Sequence, residues 1–166
     1  MDVANAPKVV HPTNGSLRWL GGMGVRFLIP GTDSGRGFAL VEHVLKPHAL
    51  AAAMHRHHLE DEYSYVLHGK VGARLDGQVV YGTAGDVIYK PRGQWHTFWN
   101  AADSDASLLE IIAPAGFENF FRELLELFAQ EEPRPEKIAP IAQRYQLELD
   151  PSSIPTICAE HGLSFG

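Results

Sequence analysis

The segment His55-Arg56-His57-His58-Leu59-Glu60-Asp61-Glu62 decides how this chain is read, together with a second run, Gly85-Asp86-Val87-Ile88-Tyr89-Lys90-Pro91-Arg92-Gly93-Gln94-Trp95-His96-Thr97-Phe98-Trp99-Asn100. On an extended backbone successive side chains alternate faces, so His55 and His57 point one way while Arg56 and His58 point the other. Two imidazoles on one face can share a metal ion. A bare pair would carry little weight, but a turn over His58 to Asp61 brings Glu62, at the head of the next strand-like run, back beside them. Its carboxylate is an oxygen donor of the kind that completes a mixed nitrogen and oxygen site for Fe, Mn, Ni, Co or Zn. In the second run Pro91 and Gly93 supply a tight reversal between two strands, because proline fixes φ and glycine admits positive φ. His96 opens the returning strand.

Outward from these stretches, residues 15 to 113 break into short apolar or alternating runs separated by Gly, Pro, Asn and Asp, the signature of an all-β sandwich or barrel. Runs of strand length are Ser16 to Leu20, Gly24 to Ile29, Gly37 to Leu45, Glu62 to Leu67, Val71 to Leu75, Gln78 to Tyr81, Asp86 to Tyr89, His96 to Asn100 and Ser107 to Ile112. Asp76-Gly77 is a two-residue connection of the type that closes a β-hairpin. After Pro114 the period changes to about 3.6, with Phe117, Phe120, Phe121, Leu124, Leu125 and Phe128 forming a stripe opposite Glu118, Arg122, Glu123 and Gln130. That stripe is expected to lie on the chain's own barrel, in preference to a partner. A break over Glu131 to Pro135 leads to a second helix opened by Pro135, and a last helical segment, Ser153 to His161, stops at Gly162.

Composition limits the function classes. The chain has 166 residues, 45% of them hydrophobic, enough for one good core with appendages. The expected division is a β-barrel with N-terminal strands over 1–115 and a helical extension over 116–166 packed on it. A formal net charge of -6 gives no extended basic surface for phosphates, so nucleic acid is an unpromising partner. Cys158 is the one cysteine, which rules out an intrachain disulfide framework and reads as a small buried hydrophobe. Met1 to His11 lacks the pattern of a secretory leader, and no run has the length of a membrane span, so a cytoplasmic location and no membrane partner are expected.

The spacing His55-x-His57-x4-Glu62-x6-Gly69, followed by Gly85-x5-Pro91-x-Gly93-x2-His96-x3-Asn100, resembles the two motifs of the cupin superfamily. The family's glycine ahead of the first histidine is missing, a departure that concerns a turn and touches no ligand. Phrases such as Pro91-Arg92-Gly93 and Pro114-Ala115-Gly116-Phe117 are similar to small bacterial cupins of the quercetin dioxygenase type. The resemblance implies a double-stranded β-helix, or jelly-roll barrel, with a C-terminal α-helical extension. It further implies one divalent transition metal per chain (Fe, Ni, Mn, Co or Zn) on His55, His57, Glu62 and His96. Glu62 would then be both a ligand and the base of a dioxygenase-like reaction on a small flavonol or diketone-like substrate. Ser64 and Val66 share Glu62's face and Phe98 shares that of His96, giving an apolar or small-residue pocket wall. Alternatives are a non-catalytic small-molecule binding or sensor module and a metal-dependent isomerase or epimerase. His58 is expected to face away from the metal, and His43 to be a satisfied core histidine. A homodimer is expected, with Ser16 to Ile29 covering a sheet edge.

Overall fold

The computed structural model describes residues 7–130 and 133–166. Ten strands come first: β1 (Arg18–Leu20), β2 (Met23–Ile29), β3 (Ala39–Leu45), β4 (Met54–His57), β5 (Asp61–His68), β6 (Lys70–Leu75), β7 (Gln78–Thr83), β8 (Val87–Lys90), β9 (His96–Asn100) and β10 (Ala106–Ala113). Helices α1 (Glu118–Gln130) and α2 (Pro135–Arg144), strand β11 (Leu147–Asp150) and helix α3 (Ser153–His161) follow. The strands form two antiparallel sheets, ordered β1-β2-β3-β10-β5-β8 and β11-β4-β9-β6-β7. Neighbours in the sheets are mostly far apart in sequence, the weave of a jelly roll.

Local chemistry explains the turns. Asp76 and Gly77 both take positive φ, 45° and 87°, the geometry a two-residue hairpin needs to match strand twist. Gly93, at φ 78°, closes the β8–β9 reversal, and its N–H donates to the His57 carbonyl at 2.7 Å. Gly72 lies opposite Trp99 in the β6–β9 pair, and a Cβ there would come within 2.3 Å of the indole nitrogen. Asn100 donates from Nδ2 to the carbonyls of Leu45, Lys46 and Ser104, and its Oδ1 accepts from Ala102 N–H. The last residue of the second motif is therefore a clamp for the β9–β10 turn.

The main apolar core lies between the inner faces of the sheets and continues into the helices: Val41, Val66, Leu108, Ile112 and Phe98 join Phe117, Phe120, Phe121, Leu124, Ile141 and Ala142 in one cluster. The predicted stripe of α1 thus packs on the chain's own barrel. Glu118 anchors its first turn, accepting from Gly31 N–H at 2.9 Å and Gly116 N–H at 2.6 Å. A second cluster of Leu50, Trp99 and Ile157 sits under α3 on the outer face of the five-stranded sheet. Two layers of cover explain why β9 is buried on both faces. Pro135 occupies the first turn of α2, and Gly162 ends α3 in the left-handed conformation at φ 63°. Within the predicted break between α1 and α2, residues 131 and 132 lie outside the described residues, as do 1–6 of the N-terminal segment. Strand β11 was not foreseen; it pairs with β4, setting Leu147 opposite His57 and Leu149 opposite His55. Among the described residues no helix is long and apolar enough to cross a membrane.

Candidate metal centre

Strand β4 turns His55 and His57 to one side, β5 brings Glu62, and β9 brings His96. One donor atom from each of the four lies within 4.8 Å of the others, and all four residues are buried. The backbone ties these strands together at the site: His55 pairs with His96 across β4 and β9, and Arg92 in the β8–β9 reversal grips Asp61, beside Glu62, through its backbone N–H at 2.9 Å and its guanidinium at 3.1 and 2.8 Å.

The imidazoles are oriented by their outer nitrogens. His55 donates Nδ1–H to the Ala53 carbonyl at 2.8 Å, and His96 donates Nδ1–H to the Gln94 carbonyl at 3.1 Å. Because each acceptor is a carbonyl, the proton belongs on Nδ1 and the Nε2 lone pair is left for the centre. His57 presents Nδ1 to the buried Glu60 carboxylate at 3.6 Å, and neither ring nitrogen of His57 makes a hydrogen bond. Toward the centre, His57 Nε2 lies 3.4 Å from Glu62 Oε1 and His96 Nε2 lies 3.2 Å from Glu62 Oε2. An imidazole nitrogen that faces a carboxylate oxygen at these distances needs a proton or a cation between the two. The donor set, three nitrogens and an oxygen, fits a divalent transition ion.

Electrostatics favours the ligating forms. Burial pushes His55 well below the usual imidazole range, helped by His96 and His57, and burial likewise lowers His96. Glu62 is disfavoured as an anion by its burial, but the neighbouring His57, Lys90 and His96 outweigh this and hold it well below the usual carboxylate range. Ser64 and Val66 follow Glu62 on the inner face of β5, and Phe98 follows His96 on β9; all three are buried. The interior is more polar than these three suggest. Lys90 and Glu110, which sequence reading passed over, are both fully enclosed, with Lys90 Nζ 2.8 Å from Glu110 Oε2 and 3.0 Å from Glu62 Oε2. Strand alternation was the available signal, since Lys90 shares a face with Ile88, and Glu110 lies between Leu108 and Ile112 on the inner face of β10.

The other histidines divide as expected. His58 points outward, with Nε2 3.0 Å from Glu148 Oε2. His43 is buried against Phe98 and Phe121 and its Nδ1 lies 3.4 Å from the Gly24 carbonyl. One end of the cluster is covered by aromatic residues leading into α1, with the Phe117 ring centroid 4.3 Å from that of His57. A surface cleft of about 450 Å³ between the N-terminal strands and α1, lined by Arg18, Phe27, Arg122 and Glu126, contains none of the four cluster residues.

Residues 41–112 match the family model of the cupin domain. Over that stretch the chain is similar to the cupin domain. Solved structures similar to this chain include KdgF from a Halomonas species (15% identity, TM-score 0.61, covering 69% of this chain and 99% of that one). A predicted oxalate decarboxylase from Thermotoga maritima is similar at 21% identity and TM-score 0.61, covering 64% and 99% of the respective chains. The polyketide cyclase RemF from Streptomyces resistomycificus reaches 28% identity and TM-score 0.57, covering 65% and 80%. No curated protein sequence matches this chain. Proteins as different as a predicted decarboxylase and a polyketide cyclase share the fold, so the residues between the sheets carry the functional argument.

Proposed function

We propose that this cupin is a metal-dependent enzyme of the oxygenase type acting on a small organic compound with adjacent keto and enol oxygens, such as a flavonol or a β-diketone. The observation that carries this reading is the single carboxylate, Glu62, buried among three imidazoles, with Nε2 of His57 and of His96 facing its two oxygens. A bound divalent ion would supply Lewis acidity and, where the metal is redox-active, activation of O2. Glu62 is the base within reach of a substrate hydroxyl at that centre and would take the enol proton on a carboxylate oxygen. Ser64, Val66 and Phe98 would wall the substrate, and Phe117 would keep water from the cluster.

A second reading is supported by the 28% identity to a polyketide cyclase. Polyketides are themselves 1,3-dicarbonyl compounds, so the same deprotonation by Glu62 would serve a ring closure that consumes no oxygen. Oxygen uptake and product analysis separate the two: flavonols, β-diketones and poly-β-ketones are offered to the Fe, Ni, Mn, Co and Zn forms in air and under argon. Turnover that requires O2 supports the oxygenase, and turnover under argon supports the cyclase or an isomerase. Saturable binding without turnover in any form would overturn both in favour of a small-molecule binding module. We further propose a homodimer, because β1 ends the six-stranded sheet with an unpaired edge and Trp19 partly exposed.

A further inference from the structure

We propose that Lys90 is a positioning residue of the metal centre, whose ammonium reserves Oε2 of Glu62 so that the carboxylate meets the ion through Oε1 alone. The inference rests on the four-residue metal reading above and concerns a residue outside the ligand set. Lys90 leaves the inner face of β8 one residue before Pro91, and its Nζ sits 3.0 Å from Glu62 Oε2 and 2.8 Å from Glu110 Oε2. The ring of Phe98 closes the approach from a third direction, its centroid 4.7 Å from Nζ. Glu110 is fixed in turn by the Ser64 hydroxyl, which lies 3.1 and 2.9 Å from its two oxygens. The ammonium is thus held between two carboxylates, with Glu110 Oε2 as its nearer partner.

A lysine enclosed this completely does nothing for solubility, and a buried ion pair is weak evidence of added stability, because the desolvation of its charges offsets most of their attraction. What the arrangement does supply is direction. Glu62 has two oxygens facing the cluster, and a carboxylate free to use both would occupy one more coordination position on the ion. The ion pair to Oε2 at 3.0 Å commits that oxygen elsewhere, leaving the position for a substrate or O2. Hydrogen bonds to ligating groups are a general means of setting ligand orientation.

The test uses Co(II) as the probe, in wild type and in a Lys90→Met/Glu110→Gln double variant that removes the pair together. In a crystal structure of the Co(II)-loaded wild type, one Glu62 oxygen ligates cobalt and the other lies at hydrogen-bond distance from Lys90 Nζ. In the folded double variant, the visible d–d bands shift in position and intensity as the second oxygen turns to the metal. Two-oxygen ligation by Glu62 in the loaded wild type would overturn the role of Lys90 while leaving the metal site intact. So would variant bands superimposable on those of wild type. Cobalt absent from the cluster altogether would overturn the metal reading and this inference with it. Should the double variant not fold, the wild-type structure alone decides.

Discussion

His55 and His96 stand opposite each other in the β4–β9 pair with ring centroids 4.3 Å apart, and each donates Nδ1–H to a carbonyl two residues earlier in the chain. The same local device therefore aims two imidazoles from different strands at one point. Purified protein is expected to hold about one divalent ion per chain, and His55→Ala, His57→Ala or His96→Ala to lose most of it, because each removes a bond and the closure of the site. Elemental analysis reads the result; wild-type occupancy in all three variants would end the metal assignment.

Glu62→Gln separates ligand from base. The amide keeps a carbonyl oxygen and the three imidazoles stay in place, so metal content should fall only in part. A neutral amide cannot take the substrate proton, and loss of a general base costs about 100 to 10,000-fold in rate. Turnover per bound metal is the measurement, and a rate within a few-fold of wild type would leave Glu62 as a ligand alone.

Phe117 seals the cluster against His57 and is itself buried in the main core. Phe117→Ala should cost about 3–5 kcal/mol, as large-to-small core changes of this kind do. It should also speed extraction of the ion by a chelator under conditions where the protein stays folded. Denaturant titration and the rate of metal release check the two effects separately; an unchanged release rate would show that α1 and its approach do not gate the centre.

His43 gives a pH dependence. Burial, with the charge of Lys90, lowers its pKa from 6.5 to about 4, so on acidification the unfolded chain takes up this proton before the folded one. Stability is therefore lost as pH falls from 6.5 toward about 4, and below that folded His43 protonates as well and the loss stops. Between pH 7 and pH 5 this one group accounts for about 2 kcal/mol. In His43→Leu that portion of the acid destabilisation should disappear, measured as the difference in unfolding free energy between the two pH values. An identical pH slope in the variant would mean that His43 is protonated in the fold.

For the homodimer, sedimentation at micromolar concentration is expected to show a dimer, and Trp19→Lys on the edge strand to shift it toward monomer. A sharp monomer for wild type would remove the proposal.

What sequence could and could not show follows from the range of the interactions. The Asp76-Gly77 hairpin, the Pro135 start of α2 and the Gly162 stop of α3 are set by neighbours a few residues away, and they stand where the sequence puts them. The histidines were legible because H-x-H spacing on a strand fixes a shared face. Lys90 and Glu110 were not, because a lysine beside a proline at a strand end reads as solvated, and only the β5 neighbour common to β8 and β10 brings these two together. Strand β11 escaped notice for a similar reason: Leu147-Glu148-Leu149-Asp150 is too short to show a period, and its extended form depends on pairing with β4.

That last pairing orders events in time. A chain leaves the ribosome with its N-terminus first, and β4, which carries two of the four cluster residues, has emerged long before residues 147–150. Until those residues arrive, the edge of β4 that β11 will occupy has no strand beside it, and the aromatic seal ahead of α1 has not been locked down by α2, whose Ile141 and Ala142 complete the same core. Completion of the sheet that carries the histidine cluster therefore waits on residues 147–150. Any nascent or truncated chain that stops short of β11 would expose an unpaired, histidine-bearing edge to whatever ions and strands surround it, which makes residues 147–150 a protective cover for the cluster.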